Sequence, residues 1–434
     1  MYMTRASEIE EYGDDPAVVK RINFHGVFRT KDDALLKETK RLFSANTVRE
    51  LVVCSYLACQ HLQDVGLFSK AAVLLDVDRK EGVANGYEVT FVAKEPKSYT
   101  GSLSVGVDNR GEAQGTLQFE RGSAFGRGES VSASAMQGAR GTTMFNASLA
   151  KPLLGWQRYT SLACSFYRGY GLYPWSGFSA WDTGTALTLS FNTFKAITHH
   201  IKYNGCWRQL EPSVGASFAV REHAGHSFKS SMEHVLEYST EDHAILPSKG
   251  LFCRLSQEYA GLGGDVSFLQ NKLELRASAP ALFGCIVSAG LQGTHVLPRS
   301  GRSLHLMDRT FVGGPTNLRG FQHNAVGPVS DGNYLGGTAS CIGALHVYRP
   351  LIPAHLLYAH VFAVCANVYG GQEVSLGEMA QRLAHDPRVS IGVGLAVKLG
   401  TLGRLEFNYS LPLRMRPTDA AQPGFQFGAG ITFA

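Results

Sequence analysis

"VSIGVGLAVKLGTLGRLEFNYSLPLR", residues 389 to 414, sorts its side chains onto two faces with a period of two. Val389, Ile391, Val393, Leu395, Val397 and Leu399 share one side of an extended chain. After a short Gly-containing turn, Leu405, Phe407, Tyr409, Leu411 and Leu413 do the same, while Arg404, Glu406, Asn408 and Ser410 take the other side. A helix would scatter these residues around its axis, whereas a strand lines them up. Each run is about ten residues long, enough to cross a bilayer when tilted.

The same alternation recurs outward from this hairpin to both ends of a long region. In "GSLSVGVDN", Leu103, Val105 and Val107 oppose Ser102, Ser104, Gly106 and Asp108. "GTALTLSFN" aligns Leu187, Leu189 and Phe191, and "PGFQFGAGITFA" aligns Phe425, Phe427, Ala429, Ile431 and Phe433. Strands are expected near 100–109, 112–121, 128–138, 140–152, 157–169, 181–193, 199–210, 227–240, 249–260, 264–279, 282–297, 333–349, 354–369, 388–400, 402–415 and 423–434. Sixteen is an even number, as suits an antiparallel barrel that closes in a membrane. A soluble sandwich or propeller would alternate too. Strand length, the lack of a blade-length repeat, and an apolar face that persists to the last residues favour the membrane.

Ahead of this region the pattern changes. "KRINFHGV" reads as a strand, "KDDALLKETKRLF" and "TVRELVVCSYLACQHLQDV" as helices, and "AAVLLDVD" and "GYEVTFVAKE" as two more strands. Val52, Tyr56 and Cys59 fall at helical spacing, and Thr47 with Glu50 forms a capping box. The expected organisation is an acidic tail over 1–19, a β-α-α-β-β unit over 20–97, and a barrel over 100–434 with a long internal connection at about 298–332. The fold class is mainly β: a 16-stranded antiparallel transmembrane β-barrel preceded by one small β-α-α-β-β domain.

Composition narrows the function. A net charge of +5 over 434 residues, without a run of lysines or arginines, argues against nucleic acid. Eight scattered cysteines without CxxC pairs indicate neither zinc nor a disulfide framework, and mostly buried, reduced thiols are expected. The opening "MYMTRASEIEEYGDDPAVVK" resembles neither a secretory signal nor an Arg-rich presequence, so no cleaved leader is expected. No apolar stretch suits a helical span; "AHLLYAHVFAVCANVYGG" (354–371) is broken by His355, His360 and Asn367. GxSxG, HExxH and a phosphate loop are all missing, and "GVGLAV" (392–397) sits inside an alternating strand. His199 and His200 point to opposite strand faces and cannot share a metal. No enzyme, no cofactor and no metal are expected. Glu120, Arg254, Glu258, Lys272, Glu274, Arg276, Lys398 and Glu406 read as a solvated lumen wall.

The longest barrel connection contains "GGPTNLRGF" (313–321) followed by "GPVSDGNYLGG" (327–337). These stretches resemble the signature loop of the barrel-assembly superfamily, whose members join N-terminal polypeptide-transport-associated (POTRA) domains to sixteen-stranded outer-membrane barrels. "REHAGHSFKSS" (221–231), "LPSKG" (246–250), "GGDVSF" (263–268) and "QFGAGITF" (426–433) are similar, within it, to the central barrel subunits of the mitochondrial sorting and assembly machinery. The resemblance covers nearly everything from Lys20 onward.

That likeness implies a loop folded back into the lumen, shaped by Gly313, Gly314 and Pro315. Leu318 belongs to the motif, Phe321 would pack beside Arg319, Gly320 would permit the turn, and Arg319 would reach an acidic or amide group on the inner wall. Many relatives place an Asp or Asn on a late strand in an F-x-(D/N)-x-G-like context, where this chain has Val364, with Asn367 nearby; Glu406 is the expected substitute. The resemblance further implies a lateral gate between the first strand (Leu103, Val105, Val107) and the last, and a carboxy-terminal sorting signal at Gln426, Gly428, Ile431 and Phe433. It implies insertion of unfolded β-barrel precursors into the mitochondrial outer membrane. The partners implied are accessory subunits, cristae-organising contact-site proteins and the lipid bilayer, with the N-terminal domain facing the intermembrane space. A passive pore or polypeptide-translocating channel is the alternative.

Overall fold

The computed structural model describes residues 13–77, 85–107, 112–155, 159–194, 196–299, 301, 303–353, 356–371, 376–400 and 403–430. Its N-terminal unit runs β1 (Val18–His25), α1 (Asp32–Thr39), α2 (Val48–Asp64), β2 (Lys70–Val77) and β3 (Gly86–Lys94). The central β3 pairs parallel with β1 and antiparallel with β2. Thr47 Oγ1 accepts from the Glu50 amide at 3.2 Å, and Glu50 Oε2 accepts from the Asn46 amide at 3.0 Å, fixing the start of α2.

The buried stripe of α2 is Leu51, Ser55, Ala58, Cys59 and Leu62, packed with Leu35, Leu42, Val89 and Phe91. Tyr56 is exposed, so the helix is rotated from the face that Val52, Tyr56 and Cys59 suggest. Small side chains at 55 and 58 let the helix approach its neighbours closely. Residues 13–17 are not a free tail: the carbonyls of Asp15 and Gly13 accept from the amides of Val48 and Arg49 at 3.0 and 2.9 Å. They satisfy two donors that the first turn of a helix leaves over, and Ala17 is buried beside them.

A single sheet of sixteen antiparallel strands follows. Its first eleven are β4 (Tyr99–Val107), β5 (Ala113–Arg121), β6 (Ser130–Gly138), β7 (Thr143–Pro152), β8 (Ser161–Tyr173), β9 (Phe178–Phe194), β10 (Ile197–Pro212), β11 (Gly225–Ser239), β12 (Gly250–Gly264), β13 (Phe268–Pro280) and β14 (Ile286–Pro298). A two-stranded hairpin, β15 (Val329–Ser330) and β16 (Asn333–Tyr334), lies within the long connection. The sheet resumes with β17 (Ala339–Pro350), β18 (Leu357–Tyr369), β19 (Arg388–Lys398), β20 (Arg404–Arg414) and β21 (Gly424–Gly430). Short helices α3 (Phe218–Arg221) and α4 (Leu376–Ala384) sit in the β10–β11 and β18–β19 connections.

The long connection therefore runs to Thr338, further than residue 332. A strand expected from 333 begins instead at Ala339, because Asn333 and Tyr334 pair with Ser330 and Val329, and Gly337 pairs with Thr310.

Strand parity sets the two faces. Leu117, Phe166, Leu187, Leu345, Val361, Val393 and Phe407 are exposed on the outside, whereas Arg404, Glu406, Asn408 and Ser410 are buried inside. No helix among the described residues is long and apolar enough to cross a membrane; the strands do so. The same parity corrects the expectation of mostly buried thiols. Cys59 and Cys206 are buried, but Cys164 and Cys365 fall on the outward face, where a thiol serves as a small apolar group. No ladder joins β4 to β21 among the described residues, and Leu103 and Val105 are 75% and 81% exposed.

The N-terminal unit is docked against two turns of the barrel. The Lys31 amide donates to Gly126 O at 2.9 Å, and Arg127 Nε to Asp33 Oδ2 at 2.8 Å. The Gly155 amide donates to Glu38 Oε1 at 2.5 Å, and the Tyr159 hydroxyl to Asp64 Oδ2 at 2.8 Å. Leu154 packs on the core of the unit.

Candidate functional site

The connection between β14 and β17 descends into the barrel. Gly313 and Gly314 have φ of 123° and 110°, and a Cβ at Gly313 would stand 2.4 Å from the Gln322 carbonyl oxygen. Only glycine fits there. Asn317 Oδ1 accepts from the amides of Gly313 and Leu318 at 3.0 and 2.7 Å, and the Gly314 amide donates to Leu318 O at 3.1 Å. With Pro315 at its bend, this compact turn presents Arg319 at a fixed place.

Leu318 and Phe321 are wholly buried. With Val312 and Val326 they pack onto Ile342, Ala344, Phe362, Val364, Ala366 and Val368 of β17 and β18. The wall at Val364 is thus apolar and already occupied by the loop's own hydrophobic side. Asn367 serves a different end of the barrel wall, where its Nδ2 donates to the carbonyls of Arg382, Leu383 and His385 and closes the end of α4.

Arg319 reaches past this wall to β20. Its Nη2 and Nε lie 2.8 and 3.2 Å from Glu406 Oε2, and both side chains are fully buried. Arg404 Nη2 stands 3.1 Å from Glu406 Oε1, and Asn408 Nδ2 donates to Oε2 at 2.9 Å. His360 Nε2 meets Asn408 Oδ1 at 2.8 Å, Arg404 Nη1 donates to the Tyr348 hydroxyl at 3.3 Å, and the Arg319 guanidinium lies 4.7 Å from the Phe362 ring centroid. Burying an ion pair costs several kcal/mol per charge, and the contacts that Arg404 and Asn408 make to Glu406 offset part of that cost here.

Two more ties join the loop to the last hairpin. Gln426, on the inner face of β21, accepts the Gly320 amide at 2.7 Å and donates to Phe321 O at 3.1 Å, so its amide serves the loop as a strand partner would. Gly320, at φ 84°, would place a Cβ 2.9 Å from Ser390 Oγ and 3.3 Å from Pro412 Cδ. The backbone also pairs: Gln422 N to Gly320 O at 2.7 Å, Gln322 N to Ala420 O at 2.9 Å, and Ala420 N to Ala325 O at 3.0 Å.

The sequence did not single out two further ion pairs. Arg388 grips Asp419 in the β20–β21 turn through Nε and Nη2 at 2.8 and 2.9 Å and also bonds Asn367. Asp419 in turn accepts the Gly327 amide at 3.2 Å. At the loop's other end Arg208 of β10 grips Asp308 at 2.9 and 3.0 Å, with Lys229 Nζ 3.6 Å away. Both aspartates read as ordinary turn residues, and their partners lie 100 and 31 residues away, so no local signal marked them.

Of the other expected residues, Leu103 and Val105 lie on the outer face of β4, which Val107 ends; Gly428 pairs with Glu406 across the last hairpin. Ile431 and Phe433 lie outside the described residues. The solvated-wall reading needs correction in three places. Glu406 is fully buried against Arg319 of the inward loop, Glu258 pairs with Lys229 of the neighbouring β11 at 2.7 Å, and Arg276 pairs with Glu241 of the β11–β12 connection at 2.7 Å. Lys272, Glu274 and Arg254 do line an open chamber of about 640 Å³. His200 bonds Ser190 while His199 stacks on Phe191, and no group of three potential metal ligands occurs among the described residues.

Comparison with known proteins follows the same lines. Residues 124–433 match the Omp85 superfamily domain. The chain is 36% identical over 445 residues to "Sorting and assembly machinery component 50 homolog B" of Xenopus laevis, covering 99% of this chain and 93% of that protein. Against the Homo sapiens "Sorting and assembly machinery component 50 homolog" it is 35% identical, covering 96% and 90%. In architecture it superposes on BamA from Haemophilus ducreyi lacking POTRA domains 1-3, with a TM-score of 0.79 at 17% identity over 95% of this chain and 84% of that one.

Proposed function

This chain belongs to the Omp85 superfamily and, within it, to the sorting and assembly machinery component 50 family, and from that premise we propose that it inserts β-barrel precursors into the mitochondrial outer membrane. The N-terminal POTRA-like domain, residues 20–97, faces the intermembrane space, and the barrel occupies 100–434. The partners are unfolded precursors, accessory outer-membrane subunits of the machinery, cristae-organising contact-site proteins and lipid.

The observation that carries the reading is that β4 pairs only with β5 among the described residues, while the β20–β21 hairpin is firmly held. An unpaired strand edge is a template: an incoming strand that pairs with it satisfies backbone groups that lipid cannot. Leu103, Val105 and Val107 would receive the precursor on one side of the seam. On the other, Gly428 leaves little side chain to hold the last strand closed, and Gln426, Gly428, Ile431 and Phe433 form the chain's own sorting signal. Arg319 keeps the loop and β20 in register while the seam works.

Cysteines introduced as Val105→Cys and Ala429→Cys test the gate. Oxidation should abolish precursor insertion and reduction should restore it; insertion that continues unchanged through the cross-linked seam sinks the gate. A passive pore is separated by depletion: loss of the subunit should deplete other barrel proteins, which a pore would leave at normal levels.

A further inference from the structure

We propose that the N-terminal domain is held on the bilayer surface by an apolar rim to which it contributes Phe28, the partner being the interfacial zone of the leaflet on the domain's side. In an up-and-down barrel, alternate turns lie on one side of the membrane. The β5–β6 and β7–β8 turns touch the domain, so the β9–β10, β13–β14 and β17–β18 turns lie on that side as well. Their tips are apolar and bare: Phe125 is 59% exposed, Phe194 69%, Leu282 81%, Phe283 87% and Ile352 95%. Phe283 also has φ 59°, a conformation that bulky residues rarely adopt. A turn meant for water would use Gly or Asn there. Short turns that end at the membrane surface place such side chains in the interfacial layer, where aromatic rings are favoured.

Phe28 extends this rim onto the domain. It is 90% exposed on the β1–α1 connection, and that connection is rigid. The amides of Phe28, Arg29 and Thr30 donate to Glu95 Oε1 at 3.3, 2.9 and 2.8 Å, and Arg29 also bonds Ser98 and Pro96. The Lys31 amide ties the same segment to the turn that carries Phe125. The surface continues into the lipid face of the first strands, where Tyr99 and Phe119 are exposed and the Arg121 guanidinium lies 5.3 Å from the Tyr99 ring centroid. Lys31 and Lys97 are exposed beside it, placed to meet headgroup phosphates while the rings sink. The domain then lies on the membrane next to β4 rather than swinging away from it.

The test uses the full chain in phosphatidylcholine nanodiscs carrying Phe28→Trp or Phe283→Trp, each compared with the unaltered protein. The emission added by either tryptophan should fall by about half with lipid brominated near the headgroup and should resist aqueous iodide. Iodide quenching like that of a free indole, with no effect of brominated lipid, overturns the proposal at that position. Shielding of the Phe28→Trp indole that develops only when a barrel precursor is added would assign the surface to polypeptide and equally overturn it. Phe283→Trp keeps the rim testable should the change at 28 disturb the domain.

Discussion

On one side of the seam, β17 to β21 enclose a dry interior in which Arg319, Glu406, Asn408 and Phe362 are buried beneath the loop. On the other side, no side chain of β4 to β7 is buried among the described residues, and β6 and β7 meet through small groups such as Ser132 and Ser148, 2.7 Å apart. Both walls alternate in the same way along the sequence. One is held by a tertiary plug, the other by its backbone ladders and by the domain docked beneath its turns. The gate proposed between β4 and β21 would use this asymmetry: an opening there would fall at the wall with the fewest interior contacts to lose, while the plugged wall kept its shape.

The contrast can be broken first at Glu406. Glu406→Gln leaves Arg319 and Arg404 buried without a carboxylate and should cost about 3–5 kcal/mol, read as a lower midpoint in thermal unfolding of the detergent-solubilised barrel. A variant that melts with the unaltered protein would show that the latch contributes nothing. Gly320→Ala comes next, since it combines a left-handed backbone with the Ser390 and Pro412 contacts; a loss of about 2 kcal/mol is expected in the same assay. Gln426→Ala strands the Gly320 amide and the Phe321 carbonyl and should cost about 1–3 kcal/mol, with proteolysis of the 313–327 segment rising in parallel.

The domain docked beneath that wall responds to acid instead. Burial alone would raise the Glu95 carboxyl, but hydrogen bonds from Arg29 and Thr30 outweigh it and hold the group down at about 2. Its contribution is therefore complete above the ordinary glutamate range and is lost as pH falls from there towards 2. Protection of the residue 28–30 amides, taken relative to the intrinsic exchange rate at each pH, should fall across that window, and Glu95→Gln should remove that change. Ser104→Ala, on the bare inner face of β4, should change stability by no more than about 0.5 kcal/mol. A larger loss would mean that this wall carries interior contacts after all.

Much of this was legible in the chain. Period-two alternation is a local property, so strands, faces and barrel class could be read from segments such as 389–414, and Thr47 with Glu50 announced α2. Strand parity placed Glu406 inside, and the glycine-rich setting of Arg319 marked it out. Asp308 and Asp419 stayed hidden because a turn aspartate looks alike whether it is solvated or clamped. Tyr56 misled because α2 carries apolar residues on several sides, Val52, Val53 and Leu57 among them, so their spacing alone does not fix its rotation.

Sixteen membrane-crossing strands behind a small mixed domain can be read from the residues alone, because each strand's two faces are written in neighbouring positions. Which inward charges meet is a matter of the folded chain. Arg319 and Glu406 are 87 residues apart, and Arg208 and Asp308 are 100 apart. Whether such pairs touch depends on how the connecting loop folds into the lumen, and no local period encodes that path.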